Sequence, residues 1–284
     1  MFGQLVQTIT SDGIKLDGFL AASPGQKVWI VCHGVNSSFY SSSLLRELAE
    51  LFSKLGYGCL LANNRGHDLC SLSFGTLPQR IGSQFENVAE CVHDFQAWQE
   101  CLVRNQMVPY GLAAHSLGAV KGAFWLGGET DLTQIKHFIA LSPPRLNTEL
   151  IADGSKKGLI FVEQLERARE LCLAGEGDRI IRVRFPMPTW VSAATFADKY
   201  GSGHKYDYLN ALGRIEIPTL WTFGSIEVTQ GMKNFRNADL EIRQVSERDS
   251  LHHHRTSVIE GGDHSYTGVR SSLFESISDW LAAA

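Results

Sequence analysis

Apolar residues in this chain come in two alternating rhythms. Short continuous runs at Val28–Cys32, Gly58–Ala62, Val108–Ala114 and Phe138–Leu141 predict strands buried on both faces. Between them, Leu44, Leu45, Leu48, Leu51, Phe52 and Leu55 recur at helical spacing, and Gly56 ends that helix. Val88, Cys91, Val92, Phe95, Trp98 and Leu102 mark a second helix face, for which Ser83 and Glu86 offer a capping box. A third helix is expected over Gly118–Leu126. Ahead of all these, Leu5–Ile9 and Leu16–Ala21 flank Ser11-Asp12-Gly13 and predict a hairpin. Strand, helix, strand, helix at this rhythm means a parallel sheet covered on both faces.

The rhythm breaks between residues 145 and 213, where one helical pattern (Leu159–Leu173), a Gly-rich stretch and Pro186-Met187-Pro188-Thr189-Trp190 occur. It resumes with strands at Thr219–Phe223 and Thr256–Ile259 and a last helix at Leu273–Leu281. The organisation expected is a core in two parts, 1–144 and 214–284, with 145–213 inserted over the sheet's carboxyl edge as a cap. Trp190, Phe196, Tyr200, Tyr206 and Tyr208 in that insert either line a substrate pocket or pack the cap onto the core, and Trp190 and Tyr206 are the pocket candidates.

Composition narrows the classes. With 284 residues and 44% hydrophobic content the chain can bury one large core. Net charge is −4, with acids and bases interspersed, so no basic stripe suggests nucleic acid. No apolar run approaches the roughly 20 residues that span a bilayer, and the first residues lack the charged and apolar regions of a signal peptide. The six cysteines form no Cys-x-x-Cys pair, which points to reduced thiols and a cytoplasmic protein. His252-His253-His254 cannot all face one ion and reads as a solvated loop. No metal or cofactor is expected, and the oligomeric state is not legible.

The chemistry gathers at Ala114-His115-Ser116-Leu117-Gly118, where a strand runs directly into a helix. A serine at the tip of such a sharp turn needs small neighbours two positions either side, and Ala114 and Gly118 supply them. A serine hydroxyl is a weak nucleophile until a histidine, itself oriented by a carboxylate, takes its proton. On this type of sheet the order is Ser, acid, His, each after a strand. Ser116, Glu227 and His264 follow that order, in Gly224-Ser225-Ile226-Glu227 and Gly262-Asp263-His264. Asp263 is adjacent to the histidine and poorly placed to orient it, and Asp198 and Asp207 fall in the insert. The oxyanion of acyl transfer needs backbone donors, expected from Leu117 and, after His33-Gly34, from Val35. His33, Arg65 and His67 are expected to hold loops. His115 either faces the pocket or has a structural role.

Five motifs in order (His33-Gly34, Asn64-Arg65-Gly66-His67, residues 114–118, Gly224-x-x-Glu227 and Gly262-Asp263-His264) resemble the α/β-hydrolase superfamily across nearly the whole chain. Phe39-Tyr40, the run 63–68 and Lys121 give a softer resemblance to a subfamily near the fungal siderophore esterases. Ala114 in place of Gly and Glu227 in place of Asp depart from the commoner pattern. The resemblance implies a mostly parallel eight-stranded sheet with helices on both faces and a cap after the sixth strand. It also implies a cofactor-free serine hydrolase, with a carboxylic ester of a small to medium molecule as the expected substrate. Alternatives are an amide, thioester, lactone or carbon–carbon bond in a small acidic molecule, which Arg179, Arg182 and Arg184 would suit unless they are a solvated face. A non-catalytic binding protein on the same fold is the remaining alternative.

Overall fold

The computed structural model describes residues 2–128, 134–201 and 204–283. Strands β1 (Gln4–Ile9) and β2 (Lys15–Ala21) form the expected antiparallel hairpin. They are followed by β3 (Lys27–Cys32), helix α1 (Ser43–Lys54) and β4 (Gly58–Ala62). A small hairpin of β5 (Ser71–Phe74) and β6 (Pro78–Ile81) stands apart from the main sheet. Then come α2 (Cys91–Arg104), β7 (Val108–His115), α3 (Leu117–Leu126) and β8 (His137–Leu141).

The segment where the rhythm breaks holds α4 (Thr148–Ile151), α5 (Lys156–Leu173), an antiparallel pair β9 (Ile180–Val183) and β10 (Thr189–Ser192), and α6 (Ala193–Lys199). The chain closes with β11 (Thr219–Gly224), α7 (Ser225–Gln230), α8 (Ala238–Arg248), β12 (His254–Ile259) and α9 (Arg270–Ala283).

The main sheet has eight strands in the order β1-β2-β4-β3-β7-β8-β11-β12. From β4 to β12 all neighbours are parallel; only β2 runs against its neighbours. Strand side chains alternate between faces, and the core divides accordingly. Val28, Ile30 and Cys32 of β3 join one cluster with Phe95, Leu102, Val120 and Ile242 from α2, α3 and α8. Trp29 and Val31 join the other with Leu45, Phe52, Leu273 and Ile277 from α1 and α9. There the Trp29 and Phe52 rings stack at 4.5 Å, a geometry that adds to area burial. The inserted segment carries a small core of its own, built on Phe161, Leu165, Val183, Val191 and Phe196. Among the described residues no helix is long and apolar enough to cross a membrane, and all six cysteines are unpaired.

Two local expectations are corrected. Ser83 and Glu86 do not cap a helix: a short 3₁₀ turn capped by Asn87 leads into α2, Ser83 Oγ donates to Asn36 Oδ1, and Glu86 is buried against Lys121. Of the histidine run, His252 is exposed in a turn as expected, but His253 is half-buried and His254 is buried at the start of β12. Trp221 Nε1–H donates to His254 Nδ1 at 3.1 Å and His254 Nε2–H donates to the Leu212 carbonyl at 3.0 Å. Accepting from Trp221 requires the neutral ring, and burial pushes its pKa down to about 4.

Candidate active site

Ser116 stands between β7 and α3 with φ 56° and ψ −125°, a left-handed conformation that non-glycine residues adopt only where the surroundings enforce it. The surroundings are sheet and helix packed at close range. Ser116 N–H donates to the Leu141 carbonyl at 2.8 Å, and Ala114 pairs with Cys32 on one side and Ala140 on the other. A β-carbon on Gly118 would lie 2.3 Å from the His33 carbonyl oxygen, and one on Gly34 would lie 2.8 Å from Ser116 Cβ. Small residues are therefore demanded at 118 and 34 by backbone and side chain already in place. The turn holds the hydroxyl at the start of a helix whose first N–H groups have no partner within it.

The imidazole of His264 lies between Ser116 and Glu227. Its Nε2 is 2.9 Å from Ser116 Oγ and its Nδ1 is 2.5 Å from Glu227 Oε1. Glu227 sits in the first turn of α7, almost wholly buried, and its second oxygen accepts from Ser142 Oγ–H at 2.7 Å and from Gly224 N–H at 3.4 Å. Ser142 is in turn bonded to the Tyr266 hydroxyl at 2.9 Å, and Tyr266 to Thr222 at 2.8 Å. The carboxylate is thus fixed from behind. The ring of His264 rests edge-on against Phe235, with centroids 5.2 Å apart.

The other acids considered are engaged elsewhere. Asp263 Oδ1 accepts the backbone N–H groups of Ser265 and Thr267. Asp198 takes the Tyr206 hydroxyl and the Val88 N–H, and Asp207 pairs with Arg145.

These groups open onto a cavity of about 420 Å³. Val35 and Leu117 line it beside Ser116, and Leu146, Met187, Tyr200, Met232 and Phe235 give it mostly apolar walls. The remaining pocket candidates lie elsewhere. Trp190 is 56% exposed on β10 and does not line the cavity. Tyr206 is buried at the joint between insert and core, where its hydroxyl donates to Asp198 and accepts the Ala89 N–H. His115 is turned away from the cavity. Its Nε2 bonds the His264 carbonyl oxygen at 2.7 Å and its ring lies 4.8 Å from that of His264. Burial, with the neighbouring His264, pushes its pKa down to about 3, so Nε2–H is the donor of a neutral ring.

His33 likewise holds a loop: Nδ1–H donates to the Gly34 carbonyl at 2.8 Å and Nε2 accepts the Asn64 N–H. Arg65 ties the loop after β4 to Asp12, Glu90 and Asp94. Arg179, Arg182 and Arg184 line a separate cleft on the insert with Arg167 and Glu163, away from Ser116.

Sequence reasoning missed Ser142 and Tyr266, whose hydroxyls support the acid. Ser142 has φ 48° and Tyr266 φ 54°; Pro143-Pro144 mark the end of the strand at Ser142, but nothing in a single sequence shows which groups the two hydroxyls meet. It also missed Lys199, which reaches the cavity from the end of α6.

No protein-family model matches the sequence, and no curated sequence is significantly similar to it. Solved structures do match. The esterase Pf2001 of Pyrococcus furiosus superposes with a TM-score of 0.64 at 17% identity, over 99% of this chain and 91% of that one. Est1E from Butyrivibrio proteoclasticus, solved with ferulic acid bound, gives 0.65 at 16% identity over 98% of both chains. The α/β hydrolase GrgF from Penicillium sp. sh18 gives 0.65 at 15% identity, over 99% of this chain and 98% of that one. A siderophore esterase is not among these neighbours. Agreement along the whole length, at identities this low, is agreement of backbone, and the chain has the α/β-hydrolase fold.

Proposed function

We propose that the protein is a serine hydrolase that cleaves a carboxylic ester of a small to medium molecule through an acyl-enzyme. The observation that carries this reading is the relay Glu227–His264–Ser116, with contacts of 2.5 and 2.9 Å, at the wall of an apolar cavity. Esterases among the proteins of like fold support the choice of bond.

In this reading Ser116 Oγ attacks the ester carbonyl while His264 Nε2 accepts its proton. Glu227, acceptor-only and buried, stabilises the imidazolium that forms. The amides of Val35 and Leu117 take the oxyanion as the carbonyl bond becomes single. Collapse expels the alcohol, protonated by His264, and leaves an acyl group on Ser116. Water, deprotonated by His264, attacks that carbonyl; the acid departs and Oγ regains its proton. Water and ester are consumed, and acid and alcohol formed, with no other reactant.

The test is turnover of p-nitrophenyl esters from acetate to long acyl chains, beside labelling by a fluorophosphonate. Wild type should hydrolyse some of the panel and be labelled at Ser116. Ser116→Ala should lose both, with turnover down roughly 10⁴-fold or more, while its circular dichroism spectrum is unchanged. Hydrolysis that survives Ser116→Ala would overturn the assignment.

A further inference from the structure

Lys199 is the only lysine or arginine among the described residues lining the Ser116 cavity. Its side chain is 10% exposed, and Nζ lies 3.5 Å from Glu86 Oε1. That carboxylate is already committed. Glu86 is fully buried, and its other oxygen is held at closer range by Lys121, whose ammonium also donates to Asn64 Oδ1. Two ammonium groups therefore share one carboxylate, and Lys199 has the longer contact.

Asp198, next to it in sequence, keeps its charge while its oxygens take the Tyr206 hydroxyl and the Val88 N–H, Asp263 closes its own turn, and Glu227 faces His264. An ammonium buried beside an apolar cavity, with its nearest carboxylate shared, is costly. Burial, with Lys121 beside it, holds the pKa of Lys199 below the usual lysine range.

We propose that Lys199 selects the substrate by pairing with a carboxylate that the molecule carries away from its scissile ester, so that the protein cleaves half-esters and related acidic esters in preference to neutral ones. The proposal rests on the hydrolase reading above and names its substrate class. A charge-assisted bond made in a cavity with apolar walls is stronger than its neutral counterpart, and the incoming carboxylate gives Lys199 a partner that it does not share with Lys121. It also explains why a cavity with apolar walls retains one long cationic side chain.

The experiment compares matched pairs: monomethyl suberate with methyl octanoate, which puts the charge on the acyl side, and 6-acetoxyhexanoate with hexyl acetate, which puts it on the alcohol side. Wild type should show at least about tenfold higher kcat/KM for the charged member of one pair, and the pair that responds identifies the half that meets Lys199. Lys199→Met should abolish the preference and Lys199→Arg should retain most of it. Lys199→Gln, which can still bond Glu86, takes the place of Lys199→Met if that variant does not fold. Equal kcat/KM in both pairs, a preference for the neutral esters, or a preference that persists without the lysine would overturn the proposal.

Fluorophosphonate labelling separates the two levels. A labelled Ser116 without carboxylate preference sinks the role of Lys199 alone, whereas no labelling and no turnover sinks the hydrolase reading with it. If Ser116 is labelled but neither pair is turned over, monomethyl suberate should still slow labelling at about a tenth of the concentration that methyl octanoate requires, and equal protection counts against the proposal.

Discussion

Single atoms decide this site. The β-carbon that Gly118→Ala would add falls 2.3 Å from the His33 carbonyl oxygen, and neither the helix nor the loop can yield without displacing Ser116. Overpacking of this kind costs roughly 1–3 kcal/mol, so the variant should lose about that much in urea denaturation and lose the proposed esterase activity as well. Wild-type stability would show that the loop gives way. Ser142→Ala acts in the opposite sense, by removal. It takes a 2.7 Å donor from the buried Glu227 carboxylate and leaves Oε2 with only the distant Gly224 N–H. An acceptor stranded in this way costs about 1–3 kcal/mol, and here part of it should appear as a kcat lowered about tenfold with KM little changed. A change confined to KM would mean that Ser142 shapes the pocket and does not position the acid.

At the scale of elements, legibility followed burial. Strands with both faces buried read clearly because β3, β4 and β7 must satisfy two clusters at once. The motif 114–118 read clearly because its small residues answer to neighbours fixed by the same sheet. The hairpins β5–β6 and β9–β10 left little trace, since each buries only one face or part of one and the β5–β6 hairpin includes Pro78. Helix α8 was silent for the same reason, burying little more than Ala238, Asp239 and Ile242. Glu86 was misread because its partner, Lys121, is 35 residues away, and capping chemistry was the only local explanation at hand.

That pair ties the loop before α2 to α3, the helix that begins directly after Ser116. Removing one partner of a buried pair costs about 3–5 kcal/mol. In Lys121→Met, Glu86 retains Lys199, so the loss should sit near 3 kcal/mol by urea denaturation. A loss below about 1 kcal/mol would mean that the pair is solvated in solution.

Across the whole molecule, three histidines are held neutral chiefly by burial. His33 and His115 are pushed down to about 3 and His254 to about 4, in each case first by burial. Unfolded, each binds a proton at the ordinary 6.5. Between pH 6.5 and about 4 the unfolded chain therefore holds more protons than the native one, and stability must fall as the pH falls. Above pH 6.5 both states are neutral at these rings and the contribution is fully present. Each histidine should remove roughly 2 kcal/mol between pH 7 and pH 5, a range in which ordinary carboxylates have scarcely begun to titrate. Urea midpoints at pH 7, 6 and 5 measure the sum. His254→Gln isolates one share, because an amide can still accept from Trp221 and donate to the Leu212 carbonyl but takes up no proton. Its stability should vary less with pH than that of wild type, by about that 2 kcal/mol. A wild-type profile flat from pH 7 to 5, or one that His254→Gln leaves as steep, would mean that these rings accept protons without giving up their hydrogen bonds, and that the loops they hold are looser than their geometry indicates.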